Sequence, residues 1–170
     1  IKTVYNGVLR DSGNQFYDSK FDIAKLSNIK NDAIKSILSA KLLEAQNRGI
    51  SISVEIEEPV SNFRIELLDF ITVLSVLCDN AIEATIEAIS PRMTVAFMNN
   101  DDSLVLIIEN SIKSEKVDVN HIFAKGYSSK GEGRGLGLHN VNSVLEKYPK
   151  STITTRSANH LFSQTIRFCK

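Results

Sequence analysis

Residues 126–140 read GYSSKGEGRGLGLHN, a stretch that holds five of the eight glycines in this chain of 170 residues. Glycine inside a helix or strand costs stability, so such a cluster marks a backbone that turns sharply or approaches a ligand closely. The stretch leads into a helix predicted over residues 136–148. Backbone N–H groups at a helix start have no partner within the helix and lie at its positive end. We therefore expect an anion site here, with Lys130 and Arg134 supplying positive charge.

A flexible surface loop is the alternative interpretation, because G-x-G-x-G alone is a weak signal. The stretch is neither a dinucleotide-binding fingerprint nor a P-loop, since no strand directly precedes it and no G-K-[ST] follows. In the anion interpretation, Gly135 and Gly137 let a phosphate approach the backbone without a side chain in the way. Leu136 and Leu138 are then expected to anchor the turn in the core.

The composition is that of one globular domain, because 42% of the residues are hydrophobic and 24% are charged. Twenty Lys and Arg residues balance twenty Asp and Glu residues, so bulk charge predicts no nucleic-acid partner. Cys78 and Cys169 belong to no C-x-x-C motif, which predicts reduced thiols in a cytosolic compartment. The sequence has no apolar run of 18 residues. It also has no initiator Met or signal-like start, and we expect it to be part of a longer protein.

Hydrophobic periodicity predicts the secondary structure. A helix begins at about Asn31 and ends at Gly49, a strand covers residues 50–57, and a long helix covers residues 64–89 before Pro91. The other predicted elements are a hairpin that turns at residues 99–102, a loop over residues 111–132, the helix over residues 136–148, and a hairpin that turns near residues 158–160. This order indicates an α+β two-layer sandwich, with a mixed, mostly antiparallel sheet of five strands and helices on one face.

The long predicted helix carries a narrow polar stripe beside a broad apolar arc. The arc consists of Leu67, Phe70, Leu74, Leu77, Ala81, Ala84 and Thr85. The stripe consists of Thr72, Asp79, Asn80, Glu83 and Glu87, with Val76 in its middle. A water-facing stripe is the simple explanation. However, no Lys or Arg lies four residues away to pair with the acids, and unpaired carboxylate and amide oxygens suit Mg²⁺.

Two stretches together carry a resemblance to a known family. LCDNAIEA at residues 77–84, followed by IFAKGYSSKGEGRGLGL at residues 122–138, resembles the ATP-binding domain of the gyrase, Hsp90, histidine kinase and MutL superfamily. The first stretch is similar to its N box, IFAKGYSSK to its F box and ATP lid, and GRGLGL to its G2 box. The resemblance covers about residues 31–170. It implies the Bergerat type of α+β sandwich, with ATP and Mg²⁺ as cofactors.

The family's functional residues carry over to matching positions. Asn80 matches the N-box residue whose side-chain oxygen holds Mg²⁺ against the phosphates, and Lys130 matches a lid lysine that reaches the terminal phosphates. The phosphate-cradling glycines and the leucines that seat the loop correspond to Gly133, Gly135, Gly137, Leu136 and Leu138. Arg134, inside the same motif, is assigned to ATP binding by its charge.

The chain departs from the family at two positions. The G1 box has an Asp that accepts a hydrogen bond from the adenine amino group, and here IENSI places Asn110 at that position without a following glycine. A neutral amide makes a weaker bond than a carboxylate, so we expect an affinity loss of about tenfold. Val76 stands where the family's ATP hydrolases place a catalytic Glu, and it cannot be a general base. Glu83, one turn after Asn80, is a candidate to orient or deprotonate the nucleophile, or to act on Mg²⁺ indirectly.

The DNAIEA version with a Lys-bearing lid is most similar to peptide-pheromone receptor kinases of the AgrC and ComD kind. That resemblance implies the cytoplasmic domain of a bacterial membrane receptor, with residues 1–25 ending a dimerisation and histidine-phosphotransfer region and residues 26–170 forming the ATP-binding domain. Its implied partners are a second copy through upstream helices, a response regulator and a peptide pheromone. His121, His139 and His160 lie outside any predicted dimerisation helix, so the phosphoacceptor is expected upstream of the chain.

Two other functions remain open at this point. One is a serine kinase of the anti-sigma-factor type on the same fold, which the altered G1 box and the N-terminal helical segment disfavour. The other is a non-catalytic module that docks partners through the same surface. Asn80, Lys130 and GRGLGL disfavour the second alternative, because a dead site has no physical need for them.

Overall fold

The computed structural model describes residues 24–120, 122 and 137–170. The described helices are α1 (Asp32–Asn47), α2 (Leu67–Thr85) and α3 (Gly137–Leu145), and a single 3-10 turn at Leu26–Asn28 precedes α1. The strands are β1 (Ser51–Ile56), β2 (Arg92–Asn99), β3 (Ser103–Ser111), β4 (Ser151–Ala158) and β5 (Leu161–Cys169). The division at residue 25 between a dimerisation segment and an ATP-binding domain stays a prediction, because residues 1–23 lie outside the described part.

The five strands form one sheet in the order β1-β2-β3-β5-β4. β1 is parallel to β2, and the other three pairs are antiparallel. The parallel pair follows from the crossover through α2, since parallel neighbours need a long connection, whereas β2–β3 and β4–β5 are joined by tight turns. The predicted mixed, mostly antiparallel sheet is confirmed.

The helices share one face of this sheet. Alternate residues of the central strands, including Leu106 and Ile108 of β3 and Ile166 of β5, belong to the same buried cluster as the apolar sides of α1, α2 and α3. Phe70 of α2 lies at its centre, with its ring centroid 5.5 Å from that of Phe168 on β5. The predicted α+β two-layer sandwich is confirmed.

The first helix has the ends that the sequence predicts. Asn31 caps α1, because its side-chain oxygen accepts a hydrogen bond from the backbone N–H of Ile34 at 3.1 Å. Gly49 follows the helix with φ of +78°, a left-handed conformation that glycine adopts without strain. The apolar residues Ile34, Leu38, Leu42 and Ala45 of α1 are buried, and Ile37 is partly exposed.

Helix α2 is shorter at both ends than the predicted range of residues 64–89. Arg64 has φ of +66°, and its guanidinium donates to the carbonyl oxygens of Asn100 and Asp101 at 3.0 and 3.2 Å. Glu66 occupies the N-cap position with non-helical φ and ψ of −57° and 141°, and its side chain makes no capping hydrogen bond. The contact of Arg64 with the β2–β3 turn thus holds residues 64–66 outside the helix, which begins at Leu67. The last helix is also shorter than predicted, since α3 ends at Leu145 rather than at residue 148.

Both predicted hairpin turns are confirmed. At the β2–β3 turn, the Asn100 side-chain oxygen accepts from the backbone N–H groups of Asp102 and Ser103 at 3.0 and 2.7 Å. At the β4–β5 turn, Asn159 and His160 have φ of 53° and 60°, as a two-residue turn with the twist of the flanking strands requires.

The predicted loop over residues 111–132 is partly ordered by the β4–β5 hairpin. Ser111 belongs to β3, and the Ile112 N–H donates to the His160 carbonyl at 2.9 Å. The backbone N–H of Val117 donates to the Ser157 hydroxyl at 2.8 Å. The loop prediction is therefore wrong only for Ser111, since residues 112–120 lie in no helix or strand and the hairpin satisfies part of their backbone polar groups.

Both cysteines are free thiols, and burial raises the pKa of Cys78 to about 12. Among the helices of the described ranges, none combines the length and the apolar character that a membrane crossing needs.

A polar cluster fixes α3 to the start of α2. The Tyr148 hydroxyl donates to the Asp69 carboxylate at 2.6 Å, and Lys147 contacts the same carboxylate at 3.1 Å. The Tyr148 oxygen also accepts from the Glu66 N–H at 3.2 Å. The hydrogen bond from Tyr148, and then the contact with Lys147, hold the pKa of Asp69 below its ordinary value of 3.8. Its ionised form therefore stabilises the fold, and this contribution is lost as the pH falls through the folded-state pKa.

We expect Tyr148→Phe to lower the free energy of unfolding at pH 7 by about 1–2 kcal/mol, because it removes a hydrogen bond to a charged group. The difference from the wild type should shrink as the pH falls below about 4, the ordinary carboxyl pKa, and through the lower folded-state pKa of Asp69. Urea unfolding between pH 7 and pH 2.5 measures both effects. A difference that stays constant over this range would show that the ionised carboxylate is not involved.

Candidate functional site

The middle of α2 meets the start of α3. A β-carbon placed on Gly137, the first residue of α3, would lie 3.1 Å from Val76 Cγ1 and 3.7 Å from both Oδ1 and Nδ2 of Asn80. The first of these distances is shorter than ordinary van der Waals contact, so a side chain at position 137 would crowd Val76 and glycine favours this approach. The structure therefore brings together the amide of the polar stripe and the helix start that follows the glycine stretch.

The other end of α3 fixes its direction. Gly137 lies beside Asn80, whereas Tyr148, just after the helix, contacts Asp69 in the first turn of α2. Helix α3 is therefore antiparallel to α2, and its N-terminal backbone groups lie next to Asn80. Leu138 is partly buried against the core, as predicted for a residue that seats this turn.

Asp79 does not belong to the site as the sequence suggested. Lys41 of α1 donates to its carboxylate, so the stripe does not consist of unpaired acids. Burial lowers the pKa of Lys41, but the hydrogen bond and the charge of Asp79 outweigh this effect and raise it above its ordinary value. The prediction failed because it considered only partners on the same helix. No group of three or more His, Cys, Asp or Glu side chains in the described part of the chain could hold a metal ion.

Lys41 is a residue that the sequence analysis missed. It lies three residues after Leu38 and four before Ala45, on the buried side of α1, and its side chain is only 23% exposed. A lysine on an apolar helix face requires an acidic partner, because an unpaired buried charge is costly. The position of Lys41 between Leu38 and Ala45 on one face of α1 therefore predicts an ion pair with a neighbouring helix.

Asn110 lies at the end of β3 on the face that carries the helices. It is 2% exposed, and its Nδ2 donates to the Ser111 carbonyl oxygen at 3.0 Å. Since a carbonyl can only accept, this bond orients the amide and leaves Oδ1 as the acceptor for other groups. The Thr85 hydroxyl donates to the same carbonyl at 3.2 Å, which ties the last turn of α2 to this end of the strand.

The remaining predicted site residues are distributed as follows. Glu83 is exposed on α2, in the turn that follows Asn80. Lys130, Gly133, Arg134, Gly135 and Leu136 lie outside the described residues, as does His121, and their roles stay predictions.

The two described histidines occupy ordinary positions. His139 is partly buried in α3, and its carbonyl oxygen accepts from the Ser143 hydroxyl at 3.1 Å. His160 lies in the β4–β5 turn, with its Nδ1 3.1 Å from the Lys113 carbonyl oxygen.

Comparison with known proteins agrees with this arrangement. A sequence model described as the GHKL domain matches residues 65–169. The chain is 30% identical to sensor protein CitS of Bacillus subtilis (strain 168) over 127 residues, which are 71% of this chain and 23% of that protein. It is also 30% identical to sensor histidine kinase DcuS of Escherichia coli (strain K12) over 144 residues, which are 82% of this chain and 26% of that protein. It thus spans about a quarter of the length of these curated relatives.

Solved structures share the fold. The nucleotide-free catalytic domain of histidine kinase ThkA aligns with a TM-score of 0.69 at 19% identity, covering 83% of this chain and 92% of that one. Full-length ShkA in complex with AMPPNP aligns with a TM-score of 0.65 at 14% identity, covering 79% of this chain and 28% of that one.

The fold and the relatives define a catalytic domain of the sensor histidine kinase class. The chain belongs to the GHKL family, which confirms the family assignment made from its N-box and G2-like stretches. The finer resemblance to peptide-pheromone receptors is not shown, because the relatives reported above are CitS and DcuS.

Gly137→Ala should lower the free energy of unfolding by about 1 kcal/mol, because the new methyl group crowds Val76 on the neighbouring helix. Val76→Ala removes the crowded atom. We therefore expect the double variant to be less destabilised than the sum of the two single variants, by about 0.5 kcal/mol or more. Urea unfolding of all four proteins measures this coupling. Strictly additive effects would mean that the two residues do not determine how close the helices lie.

Proposed function

We propose that this domain binds ATP with Mg²⁺ between the middle of α2 and the start of α3 and supplies the γ-phosphoryl group to a histidine upstream of the chain. The observation that carries the proposal is the approach of Gly137 to Asn80, because a β-carbon on Gly137 would lie 3.7 Å from Asn80 Oδ1, at van der Waals contact. An amide oxygen and unpaired helix N–H groups are thereby placed side by side. The first suits a hard cation and the second suit phosphate oxygens.

The residues present fit Mg²⁺-ATP. Asn80 would contribute one oxygen ligand to the ion, and the start of α3 would receive the phosphates. Lys130, Arg134 and the glycines before Gly137 would complete the phosphate site from the lid side. When bound, Mg²⁺ neutralises the charge that develops on the phosphates during transfer. The relative ShkA is described in complex with the ATP analogue AMPPNP, which supports a nucleotide as the ligand.

Asn110 is proposed to accept a hydrogen bond from the adenine amino group. Its burial and the bond from its Nδ2 to Ser111 hold the amide in one orientation. The side-chain oxygen is then presented without the entropic cost of ordering it on binding. This fixed orientation offsets part of the loss expected from the replacement of a carboxylate by an amide.

Transfer to a protein nucleophile is proposed over hydrolysis. Val76 lies against Gly137, directly beside Asn80, and it can neither activate nor orient a water molecule. Glu83, one turn later on α2, is proposed to orient the incoming nucleophile. The relative DcuS is described as a sensor histidine kinase, which supports a histidine as that nucleophile.

The wider setting is also a proposal. We propose that the domain acts on the cytoplasmic side of a dimeric bacterial membrane receptor and that its phosphohistidine passes the phosphoryl group to a response regulator. A peptide pheromone as the signal rests only on the resemblance carried by the DNAIEA stretch and the Lys-bearing lid. The decisive observation would be the sensing region of the complete protein.

Asn80→Ala should weaken Mg²⁺-ATP binding about tenfold or more, because one oxygen ligand of the ion is lost. Calorimetry with and without Mg²⁺ tests this, and the difference should vanish when ATP is titrated without the metal. Asn47→Ala, at the exposed end of α1, is the matched control and should bind like the wild type. Equal affinities of the Asn80 variant and the wild type in Mg²⁺ would refute the placement.

The isolated 170-residue chain should bind nucleotide without labelling itself from γ-labelled ATP. Positioning supplies most of the catalysis in phosphoryl transfer, and His139 and His160 are held by α3 and by the β4–β5 turn. A version extended upstream should form an acid-labile, alkali-stable phosphohistidine and pass it to an aspartate of a response regulator. Comparable labelling of a histidine in the isolated chain would contradict the upstream acceptor.

A further inference from the structure

A buried and a half-buried polar side chain face each other on the sheet, each with one atom that has no hydrogen-bond partner among the described residues. Thr155 of β4 and Gln164 of β5 are directly paired across the strands. Gln164 is 3% exposed, and neither its Nε2 nor the Thr155 hydroxyl has a partner among the residues that the structure describes. Burying such groups without compensation costs stability, and a Leu or Met at position 164 would avoid that cost. Core packing therefore does not explain this glutamine.

Gln164 occupies the boundary between the core and the end of the sheet that carries Asn110. On the helix-facing side of β5, the next two positions toward the C terminus are Ile166 and Phe168, and both belong to the core. Gln164 itself pairs with Ile108 of β3, and Asn110 is the next residue on the same face of that strand. Residues placed diagonally on neighbouring antiparallel strands are within reach of long side chains.

Together, Asn110 and Gln164 present an acceptor and a donor on one face. Asn110 offers Oδ1, because its Nδ2 is bonded to the Ser111 carbonyl. Gln164 offers Nε2, the atom without a described partner. The pairing edge of adenine has the complementary order, with the N6 amino donor beside the N1 acceptor. Guanine has the opposite order, with an acceptor at O6 and a donor at N1.

We propose that Gln164 donates to N1 of the bound adenine, directly or through one water molecule, and so makes the site select adenine over guanine. This inference rests on the proposed binding of ATP and on Asn110 as the acceptor for the amino group. The Thr155 hydroxyl lies opposite Gln164 and is available to bond a bridging water. Nucleotide binding then supplies the partner that the buried amide lacks among the described residues.

The test compares Mg²⁺-ATP with Mg²⁺-1-deaza-ATP, in which a C–H group replaces N1. By calorimetry, the wild type should bind the deaza analogue about tenfold more weakly than ATP, since one hydrogen bond to a buried donor is lost. Gln164→Met should bind both nucleotides with the same, weaker affinity. It should also bind GTP no more than about tenfold more weakly than ATP. Thr165→Val, on the opposite face of β5, is the matched control and should keep the wild-type preference.

Thermal unfolding of the nucleotide-free proteins separates this role from a structural one. Because Nε2 has no described partner, Gln164→Met should unfold at the wild-type temperature or above it, and Gln164→Leu serves if the Met variant does not fold. A variant that retains the preference for ATP over the deaza analogue overturns the inference. A variant that unfolds at a lower temperature than the wild type, and whose affinities for ATP and for the deaza analogue fall by the same factor, also overturns it. A wild type that binds ATP but not more tightly than the analogue overturns the inference alone, whereas a wild type that binds no ATP overturns the proposed function as well.

Discussion

The close approach of α3 to α2 at Gly137 is the constraint on which the site depends. Without a side chain at this position, the start of α3 lies against Val76 and Asn80, and the cluster of Asp69, Lys147 and Tyr148 fixes the other end of the helix. An amide oxygen that suits a cation and N–H groups that suit phosphates are therefore held by two rigid helices rather than by a loop. The sheet beneath them provides the side on which a nucleobase is proposed to lie.

The buried and half-buried polar side chains fall into two groups, those with a partner and those without one in the described structure. Asp79 is paired with Lys41, and Asn110 and Thr85 share the Ser111 carbonyl, so these groups stabilise the arrangement of α1, α2 and β3. Gln164 and Thr155 lack such partners in the described structure. A satisfied buried group supports the fold, whereas an unsatisfied one lowers stability until water or a ligand supplies a partner. This distinction separates residues that hold the site from residues that are proposed to use it.

The absence of an acid at position 76 connects the structure to the proposed chemistry. At the contact of the two helices, the residue beside Asn80 is apolar and is packed against Gly137, so the proposed phosphate site has no base for water at position 76. Such a site suits a domain that holds a nucleotide until a protein nucleophile arrives. The same packing explains why Val76 and Gly137 are expected to act as a pair.

The sequence by itself determined the fold class, the strand order along the chain, both hairpin turns and the family, because these depend on local periodicity, turn residues and short motifs. It also selected Asn80 and Gly137, which lie at the contact of α2 and α3, and Asn110, which is buried on the helix-facing side of the sheet. Only the tertiary structure decided that Lys41 neutralises Asp79, that α2 begins after Arg64, and that Gln164 Nε2 lacks a partner among the described residues on the face that carries Asn110. Each of these depends on residues far apart in the chain, which no pattern within one helix or strand records.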